Sequence, residues 1–114
     1  MPSGKSGVAW FLQAVTGAVL ALAVSAHIVR VHLLGSAHGI PTYEEVLAAL
    51  KNPLVMLGEL VLAFSATYHA LYGLHMVLVE SKLLSEEKSR KVLTALGIAL
   101  ATWIVAFNVL VLLK

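Results

Sequence analysis

The sequence predicts an all-α membrane protein with three transmembrane helices. Of its 114 residues 60% are hydrophobic, and the mean hydropathy of +0.91 lies above the range of soluble globular domains. Three apolar runs, at about residues 8–34, 54–79 and 92–113, each reach the ~20 residues that a helix needs to cross a bilayer. We expect a single domain, residues 1–114, whose three helices enclose so little interior that partner subunits or further copies complete it.

The first apolar run is predicted to be a retained helix. It is much longer than the roughly 7–15 residues of a signal-peptide core, and Lys5 is the one positive charge before it. Small and polar side chains recur along the run at helical spacing, which is typical of a face that packs against other helices. They are Gln13, Thr16, Ala23, His27 and Arg30.

A short interfacial helix, at about residues 42–50, is predicted in the first connection. Thr42 fits its N-cap, and Glu45 three residues later completes a capping box. The pair Asn52-Pro53 predicts the start of the second span, with asparagine as N-cap and proline in the first turn. The second connection, residues 80–91, is short and charged, so the second and third spans should be antiparallel neighbours.

The positive charges predict how the chain crosses the membrane. Five of them lie at the N-terminus and in the second connection, and three lie on the opposite side: Lys5, Lys82, Lys88, Arg90 and Lys91 against Arg30, Lys51 and Lys114. The positive-inside rule then places the N-terminus in the cytoplasm and the C-terminus outside. Because no Arg- and Ser-rich transit segment is recognised, we expect a prokaryotic plasma (inner) membrane. The lack of cysteine excludes iron–sulfur clusters and thiolate haem ligation by this chain.

The second apolar run carries the strongest chemical signal, because its segment Tyr68–Glu80 holds two histidines. Ionisable side chains are costly in hydrocarbon and usually face a protein interior, and imidazole is a common axial ligand of haem iron. Gly73 lies one turn after His69 on the same face, where it would leave room for a flat macrocycle. From these residues alone, haem ligation by His69 and a hydrogen-bonded interhelical histidine are equal alternatives.

The order and spacing of these motifs resemble the C/D-type membrane-anchor subunits of succinate:quinone oxidoreductase, which is succinate dehydrogenase or respiratory complex II. The segment HALYGLHMVLVE is similar to that family's second helix, where a histidine is followed four residues later by glycine, then by a polar residue and an acid. The segment WFLQAVTG is similar to its tryptophan and Ser/Thr-Gly step. The resemblance continues to His27, where several two-haem members also carry a histidine, and it covers nearly the whole chain.

The resemblance implies a haem b-binding anchor that supports electron transfer to membrane quinone and has no catalytic activity alone. Its implied partners are a second membrane-anchor subunit, an iron–sulfur subunit, a flavoprotein subunit and membrane lipid. Assembly into a higher oligomer is left open, and no nucleic-acid partner is expected. The implied haem contacts are His69 and His27 as axial ligands, and Gly73, His75 and Arg30 near propionates. Trp10 and Gln13 are expected to border a quinone pocket. Departures from the family pattern at Gln13-Ala14-Val15 and Glu80-Ser81 indicate that this chain contributes little to the quinone site or binds quinone differently.

Depth along the helices separates the two candidate ligands. His27 lies seven residues before Leu34, and His69 lies fifteen residues after Leu54, where both leucines mark the outer ends of their spans. At ~1.5 Å rise per residue the two histidines differ in depth by roughly 12 Å, too far to share one iron. We therefore expect two haems, an inner one at His69 and an outer one at His27, each taking its other ligand from a partner subunit.

Several alternatives stay open at this point. His27 could be an interhelical histidine, and Arg30 could pair with Glu59 at similar depth or reach the interface. The chain could be a cytochrome b-type anchor of another membrane oxidoreductase, or a family member without haem. An intramembrane Glu59 also fits a small ion- or proton-translocating subunit. His32 and His38 are assigned no strong role.

Overall fold

The structure, a computed structural model, describes residues 4–34 and 39–114, with side chains from Gly7 onward. Its elements are α1 (Gly4–Ile28), a π-helical segment (Val29–Leu34), α2 (Tyr43–Leu50), α3 (Pro53–Glu80) and α4 (Glu86–Leu112). The predicted all-α fold, with three helices long and apolar enough to span a membrane and a short helix between the first two, is confirmed. Residues 35–38, which include His38, lie outside the described part.

The predicted caps start α2 and α3. The Thr42 hydroxyl accepts the Glu45 amide at 3.2 Å, and the Glu45 carboxylate accepts the Thr42 amide at 2.6 Å, which forms the capping box. The Asn52 side chain accepts the Leu54 amide at 2.9 Å, and Pro53 lies in the first turn of α3. These bonds satisfy amides that have no partner inside a helix.

The connection between α3 and α4 is shorter than the sequence predicted. Lys82 adopts a positive φ of 64°. The Lys82 amide donates to the Val79 carbonyl and the Leu83 amide donates to the Leu78 carbonyl, so α3 ends in a Schellman motif. α4 already begins at Glu86, because the Ser85 hydroxyl caps the Lys88 amide at 3.2 Å. Hydropathy marked only the apolar part of α4 and therefore missed its charged first turns.

α3 is the central helix and packs against both α1 and α4. Gly97 of α4 allows this closeness, since a Cβ there would lie 3.2 Å from Cδ1 of Leu71. Gly97 of α4 thus serves helix packing. At the end that holds α2, here called the α2 end, Leu50, Met56 and Val111 form a buried cluster that ties three helices together. The opposite end, with the α3–α4 connection, is called the turn end.

Most apolar side chains of the spans are exposed, including Phe11 and Leu22 of α1 and Trp103 of α4. Lipid tails or partner helices can cover such a surface without cost, whereas water cannot. The exposed belt therefore fits a multi-pass membrane protein whose packing is completed by its surroundings.

Candidate haem-ligand sites

His69 faces α1 and is held there through one ring nitrogen. Its Nδ1 lies 3.1 Å from the Gln13 carbonyl oxygen and 3.2 Å from the Thr16 hydroxyl. The Thr16 hydroxyl itself lies 3.1 Å from the same Gln13 oxygen. We call these residues, together with Gly17, the His69 level.

The hydrogen bonds of the His69 level determine which nitrogen carries the proton. The Gln13 carbonyl can only accept, so Nδ1 must donate to it, while the Thr16 hydroxyl donates to that carbonyl and accepts from Nδ1. The alternative tautomer would set a nitrogen lone pair against a carbonyl oxygen. Nε2 therefore carries the lone pair, and no group in the described part of the chain bonds to it.

Two glycines make room for this arrangement. A Cβ on Gly17 would lie 3.1 Å from Cε1 of His69, so α1 offers the imidazole ring a notch at this residue. A Cβ on Gly73 would lie 3.1 Å from the Gln13 amide nitrogen, which donates to the His69 carbonyl at 3.0 Å. The space beside Gly73, which the sequence predicts as room for a macrocycle, holds the side-chain amide of Gln13. The side-chain oxygen Oε1 of Gln13 is buried and accepts no hydrogen bond from the described residues.

His27 is held by a carboxylate instead of a carbonyl. Its Nδ1 lies 2.9 and 3.1 Å from the two carboxylate oxygens of Glu59, and Arg30 Nη2 donates to one of these oxygens at 2.7 Å. We call these three residues the His27 level. The Arg30–Glu59 ion pair is one of the two alternatives that the sequence left open. Nε2 of His27 is again without a partner across the described ranges.

A cavity of about 570 Å³ opens at the His27 level, towards the α2 end. This volume lies within the ~300–1,000 Å³ typical of small-molecule and cofactor pockets. Its lining is mostly apolar and comes from the π-helical segment and all four helices; it includes His27, Arg30, Glu59, Trp103, Phe107 and Asn108. Glu45 of α2 also lines this cavity. A mostly apolar cavity with charged side chains at its border suits a planar apolar group that carries polar substituents.

The two levels lie far apart along the bundle. His27 is ten residues beyond Gly17 on α1, and Glu59 is ten residues before His69 on α3. Each spacing corresponds to ~15 Å of helix, close to the depth difference expected from the sequence. His69 and His27 therefore cannot ligate the same iron.

The turn end carries a third polar group. His75 Nδ1 lies 2.8 Å from the hydroxyl of Ser89, which is completely buried. Tyr72 stacks on Tyr68 at 5.9 Å between ring centroids and lies 6.1 Å from the His75 ring. The Tyr68 hydroxyl donates to the Ala9 carbonyl of α1 at 3.0 Å. A cavity of about 580 Å³ is lined by this ring array and by Arg90, Thr94 and Gly97 of α4.

The remaining predicted residues lie outside these clusters or take other partners. Trp10 is exposed, as an interfacial anchor is. Arg30 is occupied by Glu59, and His75 by Ser89. The sequence did not predict the role of Ser89 or the pairing of Glu59 with His27. The spacing of polar residues around a helix was an available signal for Glu59. A serine in a charged connection offered no such signal for Ser89.

Comparison with known proteins identifies the family. The family model described as succinate dehydrogenase/fumarate reductase transmembrane subunit matches residues 3–106. No curated protein and no solved structure matches the chain. The matched range covers α1, α2, α3 and most of α4, and so includes both histidine levels. This chain belongs to the family of succinate dehydrogenase/fumarate reductase transmembrane subunits.

Proposed function

We propose that this chain is a haem b-binding anchor subunit of a succinate dehydrogenase or fumarate reductase complex. The observation that carries the proposal is that two intramembrane histidines each have Nδ1 fixed by an acceptor and Nε2 without a partner among the described residues. Metal-ligating histidines almost always donate the other ring N–H to a carbonyl or carboxylate, which fixes the ring and its tautomer. Haem bound between such imidazoles accepts and releases single electrons.

His69 and His27 are the proposed axial ligands, and the structure supports them differently. His69 has the fixed tautomer and the Gly17 notch. His27 is bonded at Nδ1 by Glu59 and borders a cavity of cofactor size that Arg30 also lines. The Arg30 guanidinium is already paired with Glu59. Arg30 can still hold a haem propionate through its other N–H groups.

The partners in this proposal follow from the number of ligands. Each level offers one imidazole, so a second membrane-anchor subunit must supply the other axial ligand at the same depth. The flavoprotein and iron–sulfur subunits would dock at the turn end, because the positive-inside rule predicts that this end is cytoplasmic. The chain would then pass electrons and hold cofactors, while succinate or fumarate is converted elsewhere in the complex.

The quinone site is proposed at the cavity of the turn end. Tyr72, His75 and Arg90 present donors around an apolar space that could take a flat head group. Trp10 and Gln13, the residues expected from the sequence, lie on α1, and they stay secondary candidates. The buried Gln13 oxygen would still accept a bond from a donor outside the chain.

An ion-translocating subunit is less well supported. Glu59 motivated that alternative, yet both of its carboxylate oxygens are engaged by His27 and Arg30. A relay carboxylate must exchange its proton with the surroundings, whereas this one is held in an ion pair.

Replacing His69 by alanine in the assembled complex tests the proposal. We expect the reduced-minus-oxidised spectrum to lose the b-type signal of one haem, because the axial imidazole is gone. His32→Ala is the control, since His32 is an exposed histidine of the π-helical segment and belongs to neither histidine level. A wild-type complex without b-type absorbance, or equal spectra for His69→Ala and wild type, would contradict the assignment.

A further inference from the structure

We propose that Glu59 is a positioning residue that lowers the redox potential of a haem at His27, acting through the Nδ1 proton of that imidazole. The inference rests on the proposed function, because it needs His27 to be an axial ligand. It goes further in assigning the two haem levels unequal electronic character and in naming the side chain that makes them unequal.

The geometry at Nδ1 separates the levels. At the His27 level the acceptor is an anionic carboxylate, with contacts of 2.9 and 3.1 Å to its two oxygens. At the His69 level the acceptors are a neutral carbonyl at 3.1 Å and a neutral hydroxyl at 3.2 Å. The same ring nitrogen is therefore bonded to a charge in one site and to dipoles in the other.

A carboxylate at Nδ1 strengthens the imidazole as a donor to iron. It draws the Nδ1 proton towards itself and leaves more electron density on Nε2, which raises the basicity of the ligand. A stronger donor favours the ferric over the ferrous state, and so does a nearby negative charge in a low-dielectric region. Both effects lower the potential of that haem.

Arg30 opposes Glu59. Its Nη2 donates to Glu59 Oε1 at 2.7 Å, and the Arg30 and Glu59 side chains are 35% and 22% exposed, so the pair is partly shielded from water. An Arg30 charge beside the carboxylate reduces the field that reaches the imidazole. The two side chains therefore tune the same haem in opposite directions, which a purely structural ion pair would not do.

The test is a potentiometric titration of the b-type absorbance in purified complexes. Glu59→Gln keeps the size of the side chain and an oxygen for Nδ1, but it removes the negative charge. We expect the potential of the haem at His27 to rise and that of the haem at His69 to stay unchanged. Arg30→Gln should shift the haem at His27 in the opposite direction, to lower potential. Glu80 is an exposed acid at the turn end of α3, so Glu80→Gln is the matched control and should shift the potential of neither haem.

The His27→Ala complex identifies the redox step of the haem at His27 as the step that disappears. Opposite shifts of this step in the Glu59 and Arg30 variants support the inference. Two redox steps that do not move, move together, or move the same way in both variants would overturn it and leave the proposed function standing. A wild-type complex without haem would remove both.

Discussion

The two histidine levels of this chain share a plan and differ in their surroundings. In both, an imidazole between α1 and α3 is fixed at Nδ1 and leaves Nε2 without a partner in the described chain. The His69 level is closely packed, with Gly17 against the ring, whereas the His27 level borders a cavity of about 570 Å³ and carries two charges. The comparison teaches that one helix pair can present two imidazoles in unlike surroundings, which differ in the acceptor at Nδ1, in the packing around the ring and in nearby charge.

Closing the notch at the His69 level should have the largest effect on this comparison. Gly17→Val places a Cβ about 3.1 Å from Cε1 of His69 and adds two methyl groups. We expect about 1–3 kcal/mol of destabilisation and loss of haem at this level alone, because overpacking displaces the ring. Haem content and thermal unfolding of the complex measure both effects.

The matched control for that variant is Gly58→Val. Gly58 lies in α3, where nothing is within 4 Å of an added Cβ, so only helix propensity is shared between the two changes. If both glycine variants lost the same amount of haem and stability, the notch would have no specific role at the His69 level.

Removing the Thr16 hydroxyl should have a smaller effect on the same level. Thr16→Val deletes one of two acceptors at Nδ1 of His69 and keeps the Gln13 carbonyl. We expect a loss of about 0.5–1.5 kcal/mol, seen as a lower temperature for release of the haem at His69. Thr67→Val is the control, because the Thr67 hydroxyl donates to the Ala63 carbonyl of its own helix. Equal release temperatures in the two variants would show that the Gln13 carbonyl alone fixes the tautomer.

Much of the fold could be predicted from the sequence because its signals are local. Apolar length marks a span, and Thr42, Glu45 and Asn52 mark helix starts through bonds to amides two or three residues away. The start of α4 was missed because its first turns are charged, and a hydropathy pattern ends where the apolar run ends. The π-helical segment left no mark in the sequence that helical periodicity could detect.

The candidate sites were predictable only in part, for a physical reason. Residue spacing predicted polar faces for His69 and His27 from the ~3.6-residue turn, and different depths from the ~1.5 Å rise per residue. The partner of each Nδ1 depends on how α1 is rotated and raised against α3, which single-helix patterns do not contain. Gly73 illustrates this, because its position predicts open space beside His69, whereas the side-chain amide of Gln13 on the neighbouring helix faces it.

The central claim is that His69 and His27 serve two separate haems, and counting haem tests it most directly. Pyridine haemochrome analysis of the purified complex should give two haems b per copy of this chain in the wild type. It should give one in His69→Ala and one in His27→Ala, with the retained haem differing in its redox potential. A single haem in the wild type, or loss of both haems in each single variant without loss of the assembled complex, would contradict the account.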